Sequence, residues 1–338
     1  MTAPGLSVVT VCMNRREHLL HSAAALSRWP HHKEHLIVDW SSTEPLRRAD
    51  LPDDPRLRLV RVEGEPSWNL CRAYNFGISR ARGPWILKLD ADCWPTADFD
   101  PSLVVPDGSG GPGPAEGAYA LGSGPDGRKG QFLIAKELFA AIGGFNEYLV
   151  GYGFDDKDLK IRLRVFSGRE PLEIPPTWLE VIAHTDAERA ELWRGEQRSL
   201  IGQSLGTARM RASRLSNRLL VAYHPWSSHS IASEYHEQPD GTWLVRPDSV
   251  PSPSTEVAEE IGHVRRMTFW GYFLAIPEPC LEVLPYSMFP PARRGRWDVR
   301  WWHRLYWYTG RQLLTLPVCL LASTRGLLME LKQRFGRA

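Results

Sequence analysis

An open α/β sheet of nucleotide-binding type is the fold the sequence predicts, and three observations predict it. The first is the β-branched run Leu6-Ser7-Val8-Val9-Thr10-Val11-Cys12, whose composition is that of a strand buried on both faces. The second is a β-α-β unit. Apolar Leu19, Leu20, Ala23 and Leu26 follow at helical spacing, and His35-Leu36-Ile37-Val38-Asp39-Trp40 supplies the next strand. The third is the run Trp85-Ile86-Leu87-Lys88-Leu89, which ends in Asp90-Ala91-Asp92. Ligands of open α/β sheets bind outside the carboxyl ends of the strands. Two acids flanking one spacer at such a place form a site for a hard divalent cation, which in turn holds a diphosphate.

Each element has its own reason. Asp98-Phe99-Asp100 and Asp156-Lys157-Asp158 repeat the acidic spacing, but only Asp90-Ala91-Asp92 directly follows a strand-like run; a solvated turn is the alternative there. Cys12-Met13-Asn14-Arg15 stands where dinucleotide folds carry a Gly-rich phosphate loop, so the nucleotide is not expected to be NAD or FAD. Asp39 ends the second strand, where a carboxylate accepts hydrogen bonds from a base or ribose; an ordinary turn residue is the alternative. A third strand is expected over Leu57–Val62. A helix follows, with Ser67 as N-cap and Leu70, Ala73, Tyr74, Gly77 and Ile78 on one face. Asn69, Arg72 and Asn75 cluster on another face, either as a solvated surface or as donors to phosphate and sugar hydroxyls. Further on, Gly151-Tyr152-Gly153-Phe154 precedes Asp155-Asp156, and Leu159, Leu163 and Phe166 continue at helical spacing. The acidic pair therefore opens a helix. The helix N-terminus lowers a carboxylate's pKa there, while burial raises it.

These residues together resemble a family 2 glycosyltransferase with a GT-A fold. The resemblance rests on Val8 to Arg15, the strand end at Asp39, Arg72-Ala73-Tyr74-Asn75-Phe76-Gly77 and Leu89-Asp90-Ala91-Asp92. A second block, Gly130 to Lys136, Gly143-Gly144-Phe145-Asn146-Glu147 and Gly151 to Leu159 ending in Arg162-Leu163, is similar to a C-terminal galactosyltransferase-type motif. The resemblance spans about residues 5 to 190. It implies a Rossmann-like nucleotide-binding fold with a mixed central sheet, and donor contacts from Thr10, Cys12, Asn14, Arg15, Asp39, Arg72, Asn75, Asp90 and Ala91. Asp92 is the implied first metal ligand and His184 the second, with Asp90 on the ribose or supporting the metal through water. Asp156 is the implied catalytic base, Asp155 the acid that orients the acceptor, and Tyr152, Gly153 and Phe154 line the acceptor site. The cation is expected to be Mn or Mg. Three positions depart from the pattern: Phe154 replaces a small residue, Lys157 replaces an acid, and Val181 stands where related galactosyltransferases place a metal-touching Met.

The expected activity is transfer of a hexosyl unit, with inversion, from a nucleotide-diphosphate sugar, UDP-linked by resemblance, to a saccharide or lipid-linked saccharide. A catalytically silent domain that binds carbohydrate or an assembly partner is one alternative. A sugar nucleotidyltransferase is another, although the Gly-rich basic first loop of that class is missing.

Composition suits an enzyme with a membrane-seeking tail. The chain has 338 residues and a formal net charge of +2, so nothing overall points to nucleic acid. The charge is uneven: residues 293–338 carry ten Lys or Arg against two acids. That tail also holds Trp297, Trp301, Trp302, Tyr306, Trp307 and Tyr308, then the apolar run Leu313 to Ala322, which is too short to span a bilayer. An interfacial helix on an anionic membrane and a hairpin packed on the core both fit. Five cysteines without a Cys-x-x-Cys pair argue against a disulfide framework or a zinc ribbon. With no signal peptide in evidence, a cytosolic protein, or one on the cytosolic membrane face, is expected. The expected domains are a catalytic domain at 1–190 (donor half about 1–100, acceptor half about 118–190), a mostly helical or loop-rich extension at 191–290, and the tail at 291–338. Pro239 to Thr255 is expected to be a lid or linker. His224, His229, Glu234 and His236 match no metal signature and are read as scattered polar residues.

Overall fold

In a computed structural model, the structure describes residues 5–106, 117–183 and 224–255, short helical runs between 209 and 221 and between 257 and 265, and single positions at 317, 324, 328 and 335. The tail and His184 otherwise lie outside the described residues.

The chain forms two compact units. The first comprises Met1–Glu147, Asp155–Thr185 and Trp226–Pro251; the second comprises Tyr148–Phe154, Asp186–Pro225 and Ser252–Ala338. In chain order, the elements of the first unit begin with β1 (Leu6–Cys12), α1 (Arg16–Leu26), β2 (Glu34–Trp40), β3 (Leu57–Glu63), α2 (Leu70–Arg80), β4 (Trp85–Lys88) and β5 (Cys93–Pro95). They continue with β6 (Tyr119–Gly122), β7 (Phe132–Ala135), α3 (Lys136–Ala141), α4 (Asp155–Ser167), β8 (Leu172–Ile174), β9 (Leu179–Val181), β10 (Tyr235–Glu237) and β11 (Trp243–Val245). One nine-stranded sheet runs β10-β11-β3-β2-β1-β4-β7-β6-β8, and β5 pairs with β9 in a separate ribbon. Within the run β11-β3-β2-β1-β4 every pairing is parallel, whereas β10 is antiparallel to β11 and β7 is antiparallel to both β4 and β6. This is a mixed α/β sheet, as the sequence predicts.

Both faces of β1 and β2 are buried, as their unbroken β-branched runs require. One face packs Leu6 and Val8 with Leu87, Leu133, Phe99 and Trp29. Helix α2 lies over Val9, Val11 and Val38, and it approaches closely because Gly77 lacks a side chain. A Cβ there would sit 2.9 Å from Val9 Cγ1 and 3.2 Å from Val38 Cγ2. Gly77→Ala is therefore expected to cost about 1–3 kcal/mol by overpacking, read as a lower urea midpoint at unchanged slope.

Two expectations need correction. The α2 N-cap is Asn69, not Ser67: its Oδ1 accepts from the Arg72 N–H at 3.0 Å. Of the stretch Pro239 to Thr255, the part up to Pro251 belongs to the first unit, where β11 pairs with β3 along the sheet edge. Leu159, Leu163 and Phe166 lie in α4 as expected, the two leucines buried and Phe166 exposed.

In the second unit, the Ser213 hydroxyl bonds the carbonyls of Val150 and Tyr152 and accepts from the Tyr152 N–H at 2.7 Å. Asn217 Nδ2 donates to the Gly153 carbonyl at 2.9 Å. Among the described residues, no helix is long and apolar enough to cross a membrane.

Candidate functional site

The loops after β1, β2 and β4 meet at the carboxyl edge of the parallel strands. Asn14 and Ser41 both adopt positive φ, at 56° and 51°, conformations that side chains other than Gly rarely take. Here the loops hold each other. Asn14 N–H donates to Ser42 Oγ at 3.0 Å, and Asn14 Oδ1 accepts from Thr43 N–H at 2.8 Å. Asp39 is fully buried and accepts from the Ser42 and Leu46 N–H groups, at 3.2 and 3.0 Å, and from the Arg61 guanidinium. Arg15 Nη1 lies 3.1 Å from Asp92 Oδ2. Asn14, Arg15, Asp39 and Asp92 are thus brought together as strand-end groups.

Other predicted donor contacts are placed differently. Thr10 Oγ1 is buried 3.2 Å from His35 Nε2, and burial drives that imidazole's pKa down to about 3. The Cys12 thiol is buried and pushed up to about 12, chiefly by desolvation, so it is an inert core group. The side chains of Thr10 and Cys12 therefore belong to the core, because β1 is covered on both faces. Ala91 is buried too, with its carbonyl accepting from Ser22 Oγ at 2.8 Å. Arg72 is paired with Glu65, and Tyr235 bonds the same carboxylate. Asn75 donates to the Phe145 carbonyl at 2.9 Å and to Glu147 Oε1 at 2.8 Å, and accepts from Phe145 N–H at 2.7 Å. On this helix face Asn69 caps α2, Arg72 pairs with Glu65 and Asn75 engages Phe145 and Glu147.

A second cluster forms around Asp90. Its carboxylate accepts from Lys88 Nζ at 2.7 Å, Gln131 Nε2 at 2.7 Å and Tyr74 OH at 3.1 Å. Its N–H donates to Gln131 Oε1 at 2.9 Å. Burial alone would raise the Asp90 pKa; Lys88 foremost, then Gln131 and Tyr74, hold it below the usual carboxylate range. The half-buried pair Asp155 and Asp156 opens α4. Gly130 leaves the space between the two acidic groups: a Cβ there would lie 3.4 Å from both Asp90 Oδ2 and Asp156 Oδ2. Withdrawal from water, then the charge of Asp156, lifts Asp155 to about 7. Asp156 is raised as well, against the pull of Lys88 and Lys160. Between the two influences expected at this helix start, burial prevails.

The fit to a divalent cation rests on Asp92. Hard cations that keep several waters take one or two protein carboxylates and complete their shell with substrate phosphates. Among the described residues, no group of three or more His, Cys, Asp or Glu side chains is arranged to hold a metal ion by itself, so Asp92 is the described candidate ligand. β9 runs beside it: Val181 is in register with Cys93, and the Ile182 N–H donates to the Asp92 carbonyl at 2.9 Å. His184 lies two residues further on, outside the described residues. Tyr152, Gly153 and Phe154 belong to the second unit. Tyr152 is exposed, and Phe154 holds φ at 73°.

Residues 7–108 match the family model described as glycosyl transferase family 2. That segment is similar to family 2 glycosyltransferases. It includes Arg15, Asp39, Asp90 and Asp92 and ends before the Gly130 to Leu163 block, so the galactosyltransferase-type motif lies beyond it. No curated protein matches the sequence. Among solved structures, the chain is similar to a mannosyltransferase from Pyrobaculum calidifontis in complex with GDP-Man and Mn2+, at 14% identity and TM-score 0.44, over 98% of this chain and 88% of that one. It is also similar to glucosyl-3-phosphoglycerate synthase from Mycobacterium tuberculosis in complex with Mn2+, UDP and glucosyl-3-phosphoglycerate, at 16% identity and TM-score 0.42, over 75% and 89%. A third is the catalytic domain of Drosophila β1,4-galactosyltransferase 7 in complex with xylobiose, at 15% identity and TM-score 0.40, over 72% and 93%.

Sequence reasoning missed the groups around Asp90. Lys88 is a charged residue inside an apolar strand run, which was a visible signal. Gln131 and Gly130 gave none, because their proximity to Asp90 depends on the antiparallel return of β7 beside β4.

Proposed function

We propose that this protein is a metal-dependent hexosyltransferase. It would move a hexosyl unit from a nucleotide-diphosphate sugar, UDP-linked, to a saccharide or lipid-linked saccharide hydroxyl, with inversion at the anomeric carbon. The carrying observation is the strand-end geometry of the family 2 segment: Arg15, Asp39 and Asp92 converge at the carboxyl edge of the sheet, with Asp90 beside the acidic start of α4.

Asp92 would hold the cation, with His184 as the second ligand. The cation, Mn2+ or Mg2+, supplies positive charge to the diphosphate leaving group. Arg15, now on Asp92, is in place to pair with phosphate instead. Asp39 and the Asn14 loop face the nucleoside, and Asp90 the ribose. On the acceptor side, Asp156 takes the proton from the attacking hydroxyl as its oxygen bonds to the anomeric carbon and the diphosphate departs. Asp155, held near neutrality, orients the acceptor. A single base opposite a single leaving group gives one displacement, hence inversion. Retention of configuration in the product would refute that step.

The test is calorimetric titration of UDP, GDP, CDP and dTDP with and without Mn2+, on wild type and Asp92→Ala. We expect metal-dependent binding of one nucleotide, lost at least tenfold in the variant. No binding of any nucleotide would favour a silent, carbohydrate-binding or assembly role.

A further inference from the structure

Lys88 has no part in the steps above, yet it is the most deeply placed charge in the molecule's acidic centre. It is 1% exposed and stands in β4 between Leu87 and Leu89. Its ammonium donates to Asp90 Oδ1 at 2.7 Å and to the Gly130 carbonyl at 2.9 Å, and it lies 4.6 Å from the centre of the Tyr74 ring. A buried lysine is costly unless it is paired. One partner, Asp90, would suffice for that. The surroundings hold more: Asp155 and Asp156 reach the same space from α4, and the position of a Cβ on Gly130 would lie 3.6 Å from Lys88 Nζ and 3.4 Å from both Asp90 Oδ2 and Asp156 Oδ2.

The charged groups around this point come from each packed element. β4 brings Lys88 and Asp90. α2 brings Tyr74. α4 brings Asp155, Asp156 and Lys160, whose Nζ donates to the Lys129 carbonyl at 2.7 Å. The 128–131 turn brings Lys129 and the neutral Gln131. Lys88 thus pairs directly with Asp90 and has Asp156 and Asp155 as further acidic neighbours, while Lys160 bonds the turn's backbone.

We infer that Lys88 is a positioning residue for the transfer reaction: its ammonium, anchored by Asp90 and the Gly130 carbonyl and closed beneath Gly130, is the counter-charge for Asp156 on the acceptor side. This rests on the reading of Asp156 as the base. The charge balance is consistent with it, because burial alone would depress Lys88, and Asp90 and Asp156 hold it above its usual range. In this arrangement Lys88 touches neither reactant. It acts through the two acids, and Gly130 is kept small so that the three groups share one space.

The test uses the full-length protein with 13C-carboxyl-labelled aspartate, the signals being assigned with Asp155→Asn and Asp156→Asn. In Lys88→Met the titration midpoint of the Asp155–Asp156 pair should rise by at least one pH unit, a tenfold gain in proton affinity. Turnover should fall more at pH 6 than at pH 9. An unchanged midpoint, or an equal loss at every pH, would overturn the assignment and leave Lys88 as a fold-stabilising ion-pair partner. Should Lys88→Met show no cooperative melting, Gly130→Ala replaces it. Its added methyl excludes water between the three groups and should raise the same midpoint; no change would overturn the proposal equally. Wild-type protein that binds no nucleotide with Mn2+ would instead refute the transferase reading. A carboxyl midpoint that still moved in Lys88→Met would then show the counter-charge to be real and its catalytic use to be wrong.

Discussion

Asp156→Asn is expected to lower kcat by about 10²–10⁴-fold, the usual range for loss of a positioned general base, while nucleotide affinity with Mn2+ stays within about twofold. Asp156 opens α4, whereas Arg15, Asp39 and Asp92 stand at the ends of β1, β2 and β4, so on the proposed reading the amide substitution removes a proton acceptor without touching the groups assigned to the nucleotide. Quenched-flow turnover and calorimetry on the same preparation separate the two effects. Loss of nucleotide binding in parallel with turnover would show instead that Asp156 belongs to the donor side.

The same pair sets the expected pH dependence. A base must be deprotonated to act, and desolvation with mutual repulsion lifts Asp155 to about 7 and raises Asp156. The acidic limb of kcat/KM should therefore fall near neutrality, belonging to the pair as a unit, and not near the ordinary carboxylate value of 3.8. Stability runs the opposite way. An acid with a raised folded pKa favours the folded state where it is protonated, so this contribution is lost as pH climbs from about 3.8 towards about 7. Activity gained and stability lost over one pH window would be the signature of these two residues.

The second large effect is structural. Asp39→Ala should destabilise the protein by roughly 2–4 kcal/mol, because the buried N–H groups of Ser42 and Leu46 lose their acceptor at about 1–3 kcal/mol each. Arg61 is left with Glu63 at 2.7 Å, so its charge is not stranded. Differential scanning calorimetry reads the result as a fall in melting temperature of several degrees. If Asp39 contacted only the nucleoside, the apo protein would melt unchanged and only binding would weaken.

How far the sequence was legible follows from how each feature is encoded. Strands β1 to β3 were readable because both faces are buried, which demands uninterrupted apolar and β-branched runs. The strand-end position of Asp90-Ala91-Asp92 was readable because the triplet directly follows such a run. The choice between Ser67 and Asn69 as cap was not, since both residue types cap equally well and only backbone geometry decides. Asn75 looked like a ligand group because its spacing put it with Arg72; its engagement of Phe145 and Glu147 is a contact across some seventy residues that no local pattern records. The β5–β9 ribbon is three residues long on each side, shorter than any periodicity can reveal. The Lys88 cluster is assembled from four separate segments, of which only one looked unusual.

The hairpin Tyr235–Val245 bears on how the domain can be cut. β11 lies parallel against β3, and Tyr235 inserts its ring against Trp40 and Phe76, so an N-terminal strand edge is sealed by a segment made almost two hundred residues later. Any shortened version that stops before residue 226 would present β3 with its backbone groups unpaired, a template for strand addition between molecules. On the ribosome the same edge stays open until the hairpin emerges. The segment similar to family 2 glycosyltransferases is thus bounded by sequence similarity at one place and by edge protection at another.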